Sequence, residues 1–375
     1  MCLFPPPLFL FCFFHSTANT KKSPFVQNDV MKNLFRRYAA QTGSIGDVPK
    51  EIEREEREES RGGVEDALLD HVAFRTFKGV HEDVRFVNVK RFLVKELQYR
   101  ESGETLVFPK KKVKATWLKP PVPLMPRAFV SEIDVEAFED ERMTAIVRKA
   151  IDSRREEPRG AALEDLFREQ KRGAFSLCKN VTKEEYEYVA KKSEYVAWLL
   201  INGPEFVNHF ALAMHRCRSE AFSCASGEEM STKVVEKISK IARLNGAEDN
   251  RVMNVSDDKK LWQFSTVSDD FLAVNALGEK LKGCGAYIEF AYREFMLDGR
   301  SNENAGNCSS IGIGSENNAE KRMKKLEEEE ALRRDGFEVA TPSLKARKFN
   351  QTILCLLIYF NNSTSSPSSP SSLTT

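Results

Sequence analysis

The segment Leu68–Phe77 constrains this chain more than any other. Apart from Asp70, His71 and Arg75 it consists of apolar, aromatic and β-branched residues, which favour an extended strand. Alternation along a strand sends His71, Ala73 and Arg75 to one face, and Val72, Phe74 and Thr76 to the other. One face then seeks a core, while the opposite face carries an imidazole, a methyl and a guanidinium. Four steps separate the Cα atoms of His71 and Arg75 by roughly 13 Å, so both side chains can lean toward one small ligand. Taken alone, the segment is equally compatible with a solvated strand face.

The chain's 375 residues suit one large domain or two modest ones, and a hydrophobic fraction of 41% supplies a sizeable core. A net charge of +1 gives no field to steer nucleic acid or an anionic membrane. The eight cysteines are scattered without a C-x-x-C pair, which argues against a structural zinc site and a disulfide framework, and for a reducing compartment.

Residues 1–63 read as a leader and linker, largely disordered. The apolar run Leu8–Phe14 is too short to span a bilayer and lacks the basic flank of a secretory signal. An organelle-targeting leader, for a mitochondrion or plastid, fits better; the cytoplasm is the default otherwise. Met31–Gln41 is basic and amphipathic, a first helix or part of a transit peptide. Pro49–Arg61 is dense in Glu and Arg and reads as a solvated helix or linker.

A catalytic domain is expected over 64–339. After the first strand, Phe86, Val89, Phe92, Leu93 and Leu97 fall at helical spacing. Strands follow near Thr105–Phe108 and Val113–Leu118, with Lys110–Lys112 as a solvated turn. A proline-rich connection leads to a further strand, Arg127–Val135. The order is βαβββ. Residues 137–200 read as mostly helical. Over Glu184–Leu200 a helix is expected, with Thr182 and Glu185 at capping-box spacing and Asn202-Gly203 at its end.

Glu205–His215 then reads as a strand with His209, Ala211, Ala213 and His215 on one face; a helix remains open for this Ala- and Met-rich stretch. Residues 227–244 suggest an amphipathic helix, and strands are expected near Arg251–Val255 and Lys260–Val267. In Gly285–Arg293, Tyr287, Glu289, Ala291 and Arg293 share a face. A carboxylate among large apolar residues is costly to bury alone, so Glu289 needs a metal or a strong partner. Arg293 is the simpler partner.

Three strand-like segments thus offer His71, His209 and Glu289. Of five histidines, His15 lies in the leader and His81 in an acidic loop, so His215 is the remaining competitor. Two His and one carboxylate form the ligand set of non-haem Fe(II), with open positions for substrate and oxygen. Zinc hydrolases can use the same ligands, so the triad alone leaves the metal open.

The string Asp70-His71-Val72-Ala73-Phe74-Arg75-Thr76-Phe77 resembles the signature of the 2-oxoadipate dioxygenase/decarboxylase family. Further resemblances follow in the family's order: Phe108-Pro109-Lys110-Lys111 with Ala115-Thr116-Trp117; Pro126 to Glu132; Ser193 to Trp198; Asn202-Gly203 with Asn208-His209; Ser265-Thr266-Val267; and Tyr287 to Phe290. They run from about Asp66 to Val339. The resemblance implies an α+β, vicinal-oxygen-chelate-like fold, with βαβββ modules forming a mixed, curved sheet around a metal, plus helical insertions. It implies Fe(2+) held by His71, His209 and Glu289, with Arg75 as the substrate-binding arginine. The implied reaction takes 2-oxoadipate and O2 to 2-hydroxyglutarate and CO2, a late step of lysine catabolism. A 2-oxo acid can chelate Fe(II) through its C1 carboxylate and keto oxygen, so His71 and His209 border the substrate as well. The substrate then acts as its own co-reductant, and Arg75 gauges chain length by gripping the distal carboxylate. Arg293 and His215 are expected behind the ligands. No nucleic acid and no membrane span are expected, and the oligomeric state is open.

Beyond Val339 the resemblance stops. Ile353–Phe360 is a short apolar run and the rest a Ser/Thr/Pro tail, so 340–375 reads as disordered and foreign to the family. Asn302–Asn318 reads as a Gly/Asn/Ser-rich insertion, and Ala319–Arg334 as a solvated helix. Two alternatives accompany the dioxygenase: another metalloenzyme of this fold (isomerase, lyase or extradiol-type), and a lapsed scaffold protein lacking the family's C-terminal pocket segment.

Overall fold

A computed structural model of the chain describes residues 24–60, 68–83, 85–122, 124–154, 173–242, 253–256, 258–267, 271–283 and 286–294, with Glu328 and Arg333. Two helices come first, α1 (Pro24–Ala39) and α2 (Asp47–Ser60). A βαβββ module follows: β1 (Leu69–Phe77), α3 (Val89–Lys95), β2 (Arg100–Phe108), β3 (Val113–Lys119) and β4 (Arg127–Ile133). Helices α4 (Glu141–Ser153), α5 (Lys183–Lys192) and α6 (Glu194–Asn202) lead to a second module. It comprises β5 (Val207–Ala213), a helical stretch with a π-helical turn at Met230–Val234 followed by Val235–Ile241, β6 (Met253–Val255), β7 (Leu261–Val267) and β10 (Tyr287–Arg293). The hairpin β8 (Phe271–Val274) to β9 (Lys280–Gly283) is inserted between its last two strands.

The eight-stranded mixed sheet runs β2-β3-β4-β1-β5-β10-β7-β6, curved as a half-barrel. This order is one module followed by its mirror order. Within each module the first strand pairs in parallel with the last, β1 with β4 and β5 with β10. At the join β1 and β5 run antiparallel, with His71 opposite Ala211, Val72 opposite Phe210 and Ala73 opposite His209. That register sets a local two-fold through the Val72–Phe210 pair, relating His71 to His209. The irregularities obey it too. Asp70 is the extra residue of a bulge in β1, and Asn208 is the extra residue of a bulge in β5. A bulge bends the strand and re-aims a side chain.

Strand alternation divides the sheet as expected. Val72, Phe74, Phe210, Leu212, Ile288 and Phe290 are buried in the main core with residues of α1, α3, α4 and α6. The opposite face is lined near its centre by small residues, and Ala211, Ala291 and Leu261 form a separate minor cluster there. The large apolar residues therefore hold the helices, and the small ones leave space beside the polar groups.

Three expectations need correction. Residues 24–60 are not a disordered leader. Met31, Leu34, Phe35 and Tyr38 of α1, and Val48 and Ile52 of α2, are buried in the core, and Phe35 meets the Phe210 ring edge-on at 5.2 Å. Burying the four α1 side chains is worth about 6–12 kcal/mol before entropy, more than a charged flank suggests. The stretch Glu184–Leu200 is two helices. The Thr182–Glu185 capping box starts α5, and Ser193, extended at φ −155°, accepts from Val196 N–H and starts α6. Gly203 ends α6 at φ +84°, where a Cβ would lie 1.8 Å from Phe175 O. Finally, the second histidine strand ends at Ala213, so His215 sits in a short 3-10 turn, Met214–Arg216, rather than on the face of His209. The expected insertion and charged helix lie outside the described residues, apart from Glu328 and Arg333, as do the leader 1–23 and the tail 340–375. No helix among the described residues is long and apolar enough to cross a membrane.

Candidate metal centre

His71 lies on β1, His209 on neighbouring β5 and Glu289 on β10, next in the sheet. Their registers, Ala73 opposite His209 and Glu289 opposite Ala211, bring all three side chains over one patch of the small-residue face. His71 Nε2 is 3.2 Å from His209 Nε2 and 3.6 Å from Glu289 Oε2, and His209 Nε2 is 3.5 Å from that same oxygen. Among the described residues this is the group of His, Cys and acidic side chains able to hold a metal ion. A point equidistant from the three atoms lies about 2.0 Å from each by these edges, which matches ordinary metal–nitrogen and metal–oxygen distances of about 2.0–2.2 Å.

The bulge residues explain the aim of the rings. His71 Nδ1 donates to Asp70 Oδ1 at 2.7 Å, and His209 Nδ1 donates to Asn208 Oδ1 at 2.9 Å. Each bond fixes the tautomer that leaves Nε2 as the free lone pair. Two such lone pairs and a carboxylate oxygen facing one another are mutually repulsive, and a cation or a shared proton resolves this. The donor set therefore fits a divalent metal.

The two sides differ in charge. Asp70 is wholly buried and grips Arg293, whose Nε donates to Oδ2 at 2.6 Å and Nη2 to Oδ1 at 2.9 Å. Burial works against the Asp70 carboxylate, but Arg293 and His71 hold its pKa well below the usual range. For His71, burial is outweighed by Asp70 and Glu289, which raise its pKa. Burial dominates at His209 and pushes it down to about 4, with Arg75 adding to the fall. Burial would raise Glu289, yet His209, His71 and the Ser265 hydroxyl bring it down to about 2. Ser265 Oγ donates to Glu289 Oε1 at 3.0 Å. At neutral pH the centre thus offers the Glu289 carboxylate as an anion and His209 as a neutral imidazole.

Arg293 was anticipated as an ion-pair partner of Glu289 or a neighbour; the partner is Asp70, 223 positions away. His215 accepts from Arg293 N–H at 3.4 Å, which places it behind Arg293 and outside the donor group. Arg75 lies on the same strand face as His71, with its guanidinium stacked 4.2 Å from the Tyr195 ring centroid. Sequence reading missed Asp70 and Asn208. The available signal was the repeated dipeptide, Asp-His in one strand and Asn-His in the other, but plain alternation sends these side chains away from the histidines. The two-fold also gives Glu289 a counterpart: Phe129, opposite Ala73 as Glu289 is opposite Ala211. The first module thus has a phenyl ring where the second has a candidate ligand.

A curated chloroplastic 2-oxoadipate dioxygenase/decarboxylase of Arabidopsis thaliana is 30% identical over 72% of this chain and 65% of its own length. A chloroplastic/amyloplastic relative of the same name from rice is 30% identical over 60% of this chain and 59% of its own. The chain therefore spans about two thirds or less of these relatives. In fold it resembles the crystal structure of rice hydroxyglutarate synthase in complex with 2-oxoadipate, at 22% identity and a TM-score of 0.54, covering 87% of this chain and 93% of that one. The two βαβββ modules form the mixed, curved sheet with helices that was expected. The model of one family matches residues 30–345, the latter part of helix α1 included, and by that match the chain belongs to the 2-oxoadipate dioxygenase/decarboxylase family.

Proposed function

We propose that this chain is an Fe(II)-dependent dioxygenase that converts 2-oxoadipate and O2 to 2-hydroxyglutarate and CO2. The observation that carries this reading is the convergence of His71, His209 and Glu289, with Arg75 on the same strand face. Family membership supports the substrate. The balance closes without an external reductant: one oxygen atom of O2 enters the new hydroxyl group and the other the carboxylate formed at the former keto carbon, while CO2 leaves with the two oxygens of the C1 carboxylate.

His71 Nε2, His209 Nε2 and a Glu289 oxygen would hold the metal. When bound, Fe(II) would supply open positions for a chelating 2-oxo acid and for O2, and would relay to O2 the electrons that the keto acid gives up on decarboxylation. The chain's own residues do the rest. Asp70 and Asn208 keep both imidazoles in the metal-binding tautomer. Ser265 keeps one Glu289 oxygen occupied and so leaves the other for the metal. Arg75 receives the distal carboxylate, and its fixed distance from the donors makes it a gauge of diacid length. Phe129 keeps the position opposite Glu289 free of a competing ligand.

The plastid names of both relatives support a plastid over a mitochondrion for this chain. The testing experiment is anaerobic loading with Fe(II), then O2 and 2-oxoadipate, with CO2 and 2-hydroxyglutarate assayed. Zn(II) loading is the control, because zinc has no redox chemistry. Equimolar CO2 and 2-hydroxyglutarate from the iron form alone is the expected result. Product from the zinc form, or none from either, overturns the dioxygenase reading.

A further inference from the structure

The Arg75 end of β1 carries a second polar cluster that metal binding leaves unused. The Arg75 guanidinium carbon lies 4.2 Å from the Tyr195 ring centroid and 5.7 Å from that of Trp198. Lys111, in the turn between β2 and β3, brings Nζ to 4.8 Å from the same Tyr195 centroid. Two cations thus converge on one phenol ring. Cation–π attraction offsets part of their repulsion but does not replace an anion. Neither cation has a carboxylate partner among the described residues, and Arg75 Nε is buried without a hydrogen-bond acceptor.

The geometry points to Lys111 and Tyr195 as determinants of specificity for a dicarboxylate, completing with Arg75 a seat for its distal carboxylate. The inference rests on the 2-oxo acid reading above. Tyr195, on α6, is a positioning residue: it holds the guanidinium flat so that its fork faces the incoming carboxylate. Lys111 is a point charge on a flexible stem and takes up an oxygen that the fork leaves over. A 2-oxo acid ending in a methyl group fills the same length but leaves both cations without an anion and Arg75 Nε unsatisfied. Discrimination against it is then strong, because the penalty falls on the buried Arg75 Nε.

The test is calorimetric titration of the chain with Zn(II) in excess, using 2-oxoadipate and 2-oxohexanoate, its equal in length with a terminal methyl. Wild type is expected to prefer the diacid at least tenfold. Lys111→Met is expected to weaken 2-oxoadipate about fivefold and 2-oxohexanoate less than twofold, as for an exposed charge-assisted contact. Tyr195→Leu is expected to show the same selective loss, and Tyr195→Phe, which keeps the ring face, to restore wild-type affinity. A merely structural role moves both ligands together or fails to be rescued by phenylalanine. Parallel shifts, equal binding of the two acids or no binding each overturn the seat. A selective loss combined with no CO2 from the iron-loaded chain overturns the oxygenase reading and leaves the seat standing.

Discussion

Replacing Asp70 by asparagine removes one negative charge and almost no volume. In the native protein that carboxylate accepts from His71 Nδ1 and takes two hydrogen bonds from Arg293, and both residues of the ion pair are 0% exposed. An amide oxygen can serve one of these partners, but the amide NH2 then faces a donor. Breaking a buried pair by removing one partner costs about 3–5 kcal/mol, because the other charge stays buried. For a folded unit of this size that is a fall in Tm of about 6–20 °C. The loss of a charged hydrogen bond behind a ligand histidine adds a 10–100-fold loss of metal affinity by the usual range. Thermal unfolding of the metal-free protein reads the first effect, and competition with a chromogenic chelator reads the second. The pH dependence follows from the sign of the shift. The folded pKa of Asp70 lies below its unfolded value, so its contribution is complete above about pH 4 and fades as pH falls further. The share of the Tm gap that comes from Asp70 itself should therefore hold above about pH 4 and close as pH falls further, while the share carried by His71, whose folded pKa Asp70 raises, should shrink as pH rises above about 6.5. A variant that unfolds within about 2 °C of wild type and binds metal within about threefold would refute the argument that Asp70 ties Arg293 to the centre.

Arg75→Lys keeps the charge but loses the fork; it should retain wild-type metal content while raising KM for 2-oxoadipate about 10-fold or more. Normal turnover by that variant would sink the length gauge. Phe129→Glu places a carboxylate where the two-fold puts the counterpart of Glu289; metal binding should be at least as tight as in wild type, while 2-oxoadipate turnover drops as an open position is filled. Looser metal binding would count against the two-fold argument. The buried Tyr38 hydroxyl accepts from Tyr287 N–H at 2.8 Å and lies 2.7 Å from Asn208 O, tying α1 to β5 and β10. Tyr38→Phe should cost about 1–3 kcal/mol, seen as a Tm lower by a few degrees, and unchanged stability would mean that α1 docks through apolar contacts alone.

Several features of this centre were legible in local pattern. Period-two alternation assigns His71 and Arg75, His209, and Glu289 each to a defined strand face, because an apolar opposite face admits one orientation toward a core. The strands that carry them lie within two residues of where alternation puts them, and the first βαβββ unit is readable for the same reason. The basic, amphipathic pattern of Met31–Gln41 left a first helix and a transit peptide both open, and the place of helix α1 became visible only against Phe210 and the strand ends it caps.

The amino-acid order determined which side chains could be ligands, since strand faces follow from local alternation. Tertiary structure decided how those ligands are held. The pairing of Arg293 with Asp70 joins residues 223 positions apart and exists only once β10 has reached its place in the sheet. Asp70 and Asn208 reach their histidines through bulges, and a bulge is a property of two strands in register, which neither strand specifies alone.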